Sequence, residues 1–283
     1  MISIAEVAVI ATFVQAILYG LYISTLIYCL RWLLFTDEGW KLRKRPQSVM
    51  LGVTVVLFIL STSDLVLSLY NTIFFSNLNG GDVPSYIGVP TFIIENVTVV
   101  IVDCVLIYRC WVVYARSWRF VSLPLVLWVG DIGCLILFIY WSSTGEGGWG
   151  GSSDFTRRNR VLEAFYACTI ATNVYATSAI IFKIWYVSRQ SNTESQRLRF
   201  TIRVVAESGL LYTLTSIMLL CGTFFASEAL LVLQALFTGI NFSMTGIAFN
   251  LILIRVSQHR VQTENQDHMR KLTPLCDRTL VRS

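Results

Sequence analysis

The sequence predicts an all-α integral membrane protein, a single bundle of seven transmembrane helices with the N-terminus outside and the C-terminus in the cytoplasm. Three observations carry that expectation. Of 283 residues, 55% are apolar and only 14% charged, a balance too apolar for an ordinary soluble domain. The apolar residues gather into seven blocks, each long enough for the roughly 20-residue helix that crosses a bilayer. The basic residues fall almost entirely into alternate gaps between those blocks.

The first block, Val7 to Leu34, is too long for a signal-peptide core and has neither a basic segment before it nor a small-residue cleavage site after it, so it reads as a retained helix. Further blocks run from Val49 to Phe75, Val89 to Tyr114, Val121 to Trp141, Val161 to Val187, Arg203 to Phe225 and Ala229 to Val256. Continuous apolar runs of this length lack the alternation of a barrel strand. Residues 1–257 therefore form the transmembrane domain, and 258–283, without apolar periodicity, a flexible cytoplasmic tail. Two connections are longer than the rest. The Gly/Ser-rich stretch from Trp141 to Arg160 reads as a lid or tether without a stable element, and the basic stretch from Ser188 to Ile202 as a mobile loop.

Orientation follows from charge. Nineteen of the 22 Lys and Arg residues lie on one side of the predicted bundle, including Lys41 to Arg45, Arg116, Arg119, Arg189 to Arg203 and the tail, while only Arg157, Arg158 and Arg160 lie on the other. The positive-inside rule makes the rich side cytoplasmic. Trp32, Trp111, Trp118, Trp141 and Trp185 fall near span ends, as an interfacial aromatic belt requires. Six of the seven cysteines fall inside spans and Cys276 in the tail, so no outer loop holds a pair to bridge.

Ionisable residues within spans cost roughly 2.5–3.5 kcal/mol each on insertion scales, which makes them functional candidates. Here they are mostly acids: Asp64, Glu95, Asp103 and Asp131, with Asn173 and Asn241 at similar depth. Counting about 1.5 Å per residue puts Asp103 and Asp131 near mid-bilayer and Asp64, Asn173 and Asn241 about a turn further out, where all can share one pocket reached from outside. Every Lys or Arg in a span sits near its cytoplasmic end, so no basic partner is expected at that depth. Acids so placed keep a proton, share one, or pair with a bound cation. A small cationic or hydrogen-bonding ligand fits such a pocket; the bland alternative is that each acid bonds its own neighbouring helix. Nearer the cytoplasmic face, Arg109 and Glu207 have matching depths and form a candidate latch, with Arg203 as the competing partner of Glu207. Small residues at Gly20 and Ser24, and at Gly239, Ser243 and Gly246, have the spacing of close helix contacts.

Several chemistries are excluded by what the sequence lacks. The lysines Lys41, Lys44, Lys183 and Lys271 avoid the seventh span, so no retinal Schiff base can form there. The two histidines, His259 and His268, lie in the tail, which removes intramembrane metal hydrolysis and a Ser–His dyad. The chain is expected to be no enzyme, to need no cofactor and no metal, and to bind no nucleic acid. Its partners are the lipid bilayer, a small ligand and a cytoplasmic effector. Proton-coupled solute transport is the main alternative to a receptor-like sensor, and a non-catalytic structural membrane protein the third reading. The absence of Pro between Pro124 and Pro274 weighs against the broken helices of carriers.

The stretches Asp103 to Tyr114 (DCVLIYRCWVVY), Asn173 to Thr177 (NVYAT), Ala206 to Thr213 (AESGLLYT) and Gly246 to Val256 (GIAFNLILIRV) together resemble a family of seven-transmembrane proteins of mushroom-forming (basidiomycete) fungi, over about residues 7–257. The resemblance implies the seven-span layout, similar to that of G-protein-coupled receptors in topology only, and brings no established activity with it. Span three ends in Tyr108-Arg109-Cys110 where those receptors carry an acidic-Arg-aromatic triplet.

Overall fold

The computed structural model describes residues 4–35, 48–77, 85–144, 152–190, 195–224 and 236–254. Within them lie seven α-helices: α1 (Ile4–Leu34), α2 (Ser48–Asn77), α3 (Ser85–Val113), α4 (Ser122–Thr144), α5 (Ser152–Gln190), α6 (Ser195–Phe224) and α7 (Leu236–Ile254). Six of them are long and apolar enough to cross a membrane; in α6 the apolar part, Gly209–Gly222, is shorter than that. The protein is thus an all-helical membrane protein.

Each helix packs against its neighbours in sequence from α1 to α6. α7 closes the ring. Asn241 on α7 accepts hydrogen bonds from Thr215 and Ser216 of α6 (2.9 and 3.0 Å), and Asn250 donates to Thr25 of α1 (3.2 Å). α3 also contacts α5 across the ring. Burial ranks the helices: 56% of the apolar window of α7 and 44% of that of α3 is buried, against 17% for α4. α3 is the hub, and all three apolar clusters include its side chains. Val105 packs with Cys29, Leu57, Phe249 and Leu253; Leu106, Ile107 and Cys110 with Val121, Ala176 and Ile180; Val99 with Phe165, Tyr166 and Leu219.

The outward faces are apolar, as a lipid solvent demands: Phe13 and Ile27 on α1, Ile59 and Val66 on α2, Val126 and Ile136 on α4, Phe182 on α5 and Leu210 on α6 are all exposed. The inward faces carry Thr, Ser, Asn and Asp. Lipid tails are as apolar as Leu, so helices gain little by hiding apolar surface from them and associate instead through close packing and polar contacts. Both occur. Gly246 lets α7 approach Tyr22, whose ring would sit 2.9 Å from an added Cβ, and Gly209 of α6 lies equally close to Thr177 of α5. The expected pair Gly20 and Ser24 faces outward instead: both are exposed, and an added Cβ at Gly20 would meet nothing within 4 Å.

Two expectations about connections need correction. The polar stretch up to Arg160 contains the first turns of α5, which begins at Ser152, and the basic stretch after Ser188 is helical up to Gln190 and again from Ser195. Apolarity marks where lipid begins, whereas a 39-residue helix of about 58 Å runs well past a core of about 30 Å. The remainder of the lid or tether and the C-terminal tail lie outside the described residues.

The α3–α4 connection is a tight, fully bonded turn. Arg116 N–H donates to Trp111 carbonyl (2.9 Å) and Ala115 N–H to Val112 carbonyl (3.2 Å), the paired bonds of a Schellman cap. Ala115 (φ 51°) and Arg116 (φ 63°) are left-handed, a conformation that favours glycine. Tyr114 and Tyr175 fasten this turn to α5: their hydroxyls donate to the carbonyls of Ala179 (2.9 Å) and Phe120 (3.1 Å). Pro124 sits in the first turn of α4, where a missing N–H is harmless.

Two outcomes follow for stability in detergent. Ala115→Gly relieves the left-handed residue and raises stability by about 1 kcal/mol, read as a higher melting temperature. Gly246→Ala drives a methyl into the Tyr22 ring and costs about 1–3 kcal/mol, a loss that Tyr22→Leu reverses in the double variant.

Candidate functional site

The polar interior follows from helical spacing. On α5, Phe165, Thr169, Thr172, Asn173, Ala176 and Ile180 recur every three or four residues and are all buried, so one stripe of the helix faces the bundle. Asn173 uses that position to bridge to α6: its amide donates to Thr213 Oγ1 (2.6 Å) and to Gly209 carbonyl (3.2 Å). Asn241 plays the matching part between α6 and α7. Asn96 is buried and donates to Phe92 carbonyl of its own helix (2.7 Å).

Among the described residues the four acids fall into two pairs, both involving α3. Toward the end of the bundle that carries the N-terminus, Asp64 of α2 lies within electrostatic reach of Glu95 of α3. Asp64 is fully buried; Gln15 of α1 donates to its Oδ2 (2.7 Å), and its Oδ1 has no hydrogen-bond partner among the described residues. Glu95 is half-buried. A cavity of about 10 Å³, lined by Gln15, Tyr19, Tyr22 and Ser61 among others, adjoins them through Gln15. One further turn toward that end, the hydroxyls of Thr12 and Thr72 are 2.7 Å apart.

The second pair lies deeper. Asp103 of α3 and Asp131 of α4 are both 0% exposed, interact electrostatically, and have all four carboxyl oxygens without a hydrogen-bond partner among the described residues. Asp103 also lines a cavity of about 30 Å³ with Asn173, Gly209, Tyr212 and Thr245, room for about two waters. The same cavity reaches Arg109, but among the described residues no interaction joins its guanidinium to either carboxyl. Arg109 lies six residues, about 9 Å, along α3 from Asp103, and its long side chain lies inside the bundle. Its guanidinium rests 5.7 Å from the Phe249 ring centroid, in a cation–π contact with α7, and Nη2 has no hydrogen-bond partner among the described residues.

The candidate latch between Arg109 and Glu207 is not among the contacts of the described residues, and the side chain of the competing partner Arg203 lies outside them. Arg109 is buried against α7, whereas Glu207 is exposed on α6 and has interactions of its own. Matching depth did not reveal azimuth. Sequence reasoning also missed Gln15, Thr169, Thr172 and Tyr212, four buried polar side chains that complete the interior. Polar residues recurring at helical spacing inside an apolar block were the available signal. The six described cysteines are free thiols, and among the described residues no group of three or more His, Cys, Asp or Glu gathers to hold a metal ion.

With Arg109 and Glu207 facing different surroundings, the charge swap Arg109→Glu with Glu207→Arg should be no nearer wild type in melting temperature than Arg109→Glu alone; a double variant restored to wild-type stability would establish the latch. Comparison with known proteins finds no matching family model, no matching curated relative and no matching solved structure.

Proposed function

We propose that this chain is a receptor-like seven-transmembrane sensor of the plasma membrane, of the fungal family it resembles, with its N-terminus outside, its tail in the cytoplasm and no catalytic step of its own. The distribution of basic residues supports that orientation. The position of Gly209–Gly222 between α5 and α7 supports α6 as the remaining crossing, because polar contacts to both neighbours hold it in the bundle.

The observation that carries the reading is the Asp64–Glu95 pair. A fully buried carboxyl with one bond from Gln15 and one oxygen unpartnered among the described residues, near a second acid in the half that this orientation places outside, calls for a donor or a positive charge. A small cationic or hydrogen-bonding ligand supplies it. Glu95 belongs to the hub helix, so a ligand that draws α2 and α3 together shifts the helix that carries Asp103 and Arg109 further along. At the cytoplasmic end the α3–α4 turn and the basic connections then present a changed surface to an effector.

The test uses the full chain in nanodiscs and vesicles with a panel of small primary amines and polyols. A saturable rise in melting temperature with one of them, weakened about tenfold or more by Asp64→Asn, supports the sensor. Uptake driven by a pH gradient and lost in Asp103→Asn combined with Asp131→Asn would replace it with a proton-coupled transporter. Neither binding nor uptake would leave a structural role. Protease access to a tagged tail from outside intact cells would overturn the orientation.

A further inference from the structure

The Asp103–Asp131 pair remains unused by that reading, and its surroundings are distinctive. Facing the pair are hydroxyls that also lack hydrogen-bond partners among the described residues. Thr169 Oγ1 approaches the Asp103 carboxyl, and the Tyr212 hydroxyl, which also approaches Ser216, lies within electrostatic reach of both acids; Tyr212 lines the cavity at Asp103. Thr172 Oγ1, one turn from Thr169 on the same buried stripe, is also unpartnered. Thr169, Thr172 and Tyr212 are 2%, 0% and 4% exposed, so none of them turns to lipid for relief.

Buried polar atoms are almost always bonded, and one left bare costs about 1–3 kcal/mol. Seven such oxygens from five side chains on α3, α4, α5 and α6 are therefore unlike ordinary packing. The set is also uniform: carboxyl and hydroxyl oxygens, which suit hard cations, with no imidazole among them. Nor does a protein cation neutralise the pair. Arg109 shares the cavity that touches Asp103, but its guanidinium lies over the Phe249 ring, 5.7 Å from the centroid. Lys183 lies over the Tyr114 ring, near the α3–α4 turn.

We propose that Asp103, Asp131, Thr169 and Tyr212, with Thr172 beside them, form a binding site for a small hard cation that ties α3 and α4 to α5 and α6. Binding replaces the missing partners of the oxygens and stabilises the closed packing of four helices. The site is separate from the Asp64–Glu95 pair and does not depend on the sensor reading.

The experiment is a thermal melt of the full purified chain in nanodiscs, in choline chloride at fixed ionic strength, titrated with sodium, calcium or magnesium chloride. One of these cations should raise the melting temperature saturably, by about 5 °C, where choline does not. Asp103→Asn and Asp131→Asn should abolish the rise, and Thr169→Val, which keeps the shape and removes one oxygen, should weaken the apparent affinity about fivefold or more. If the Asn variants fail to fold, radiotracer binding of the active cation to wild type and Thr169→Val decides. No cation-specific rise, or a rise unchanged by these substitutions, overturns the proposal; the acids would then be holding protons instead. Loss of amine binding in Asp64→Asn with cation stabilisation intact would separate this site from the proposed ligand pocket.

Discussion

The structure depends on the requirement that α3 be enclosed while carrying three ionisable side chains. A helix in lipid satisfies its own backbone, so what it needs from neighbours is a place for polar side chains. α3 meets that need by azimuth. Successive residues turn by about 100°, so relative to Glu95 the Asp103 position lies about 80° round the helix one way and Arg109 about 40° the other, a spread of about 120° along one side of α3. They meet Asp64 of α2, Asp131 of α4 with Thr169 of α5, and Phe249 of α7, respectively.

The bonds that close the ring are individually small. Interhelical side-chain hydrogen bonds in membranes are worth about 0.6–2 kcal/mol, and the Asn173, Asn241 and Asn250 contacts are of this kind. Close packing at Gly209 and Gly246 adds dispersion contacts that a larger residue would destroy. Against these stand bare buried oxygens, concentrated around Asp103 and Asp131. The fold is thus firm at its α1–α7 and α5–α6 seams and under polar tension at the α3–α4–α5 junction. The tension lies where a ligand or a proton has the largest effect on packing.

Much of this architecture was legible in the sequence. All seven blocks became helices, because an apolar run in lipid has few other ways to satisfy its backbone. The ends of α5 and α6 were not legible: apolarity reports the lipid boundary, and residues 152–160 and 195–202 continue the helix beyond it. The buried status of Asp64, Asp103, Asp131, Asn173 and Asn241 was also readable, since each is a polar residue amid an apolar span. Their grouping was not. Rise per residue gives depth, but which neighbour an acid meets depends on helix rotation and ring order, and those come only from packing. The same gap explains Arg109: its depth suggested Glu207, while its azimuth directs it to Phe249.

That rotation has a mechanical consequence. Sliding α3 along its axis by a fraction of an ångström barely changes three contacts that lie mainly sideways, but rotating it displaces all three at once, because each is anchored to a different helix. Glu95 and Arg109 are fourteen residues apart, about 21 Å along the axis. A twist imposed at the Asp64–Glu95 end therefore reaches the Arg109–Phe249 contact without any relay through intervening side chains, provided α3 stays rigid. It does have the means. Asp103 sits between the two ends within an unbroken run of helix, and the Schellman turn at Ala115 fixes its far terminus to α4 and, through Tyr114, to α5. Rotation of α3 must then carry the α3–α4 turn with it, and that turn holds Arg116 and Arg119 at the bundle end. A change in one buried carboxyl's partners is in this way converted into a displacement of surface charge.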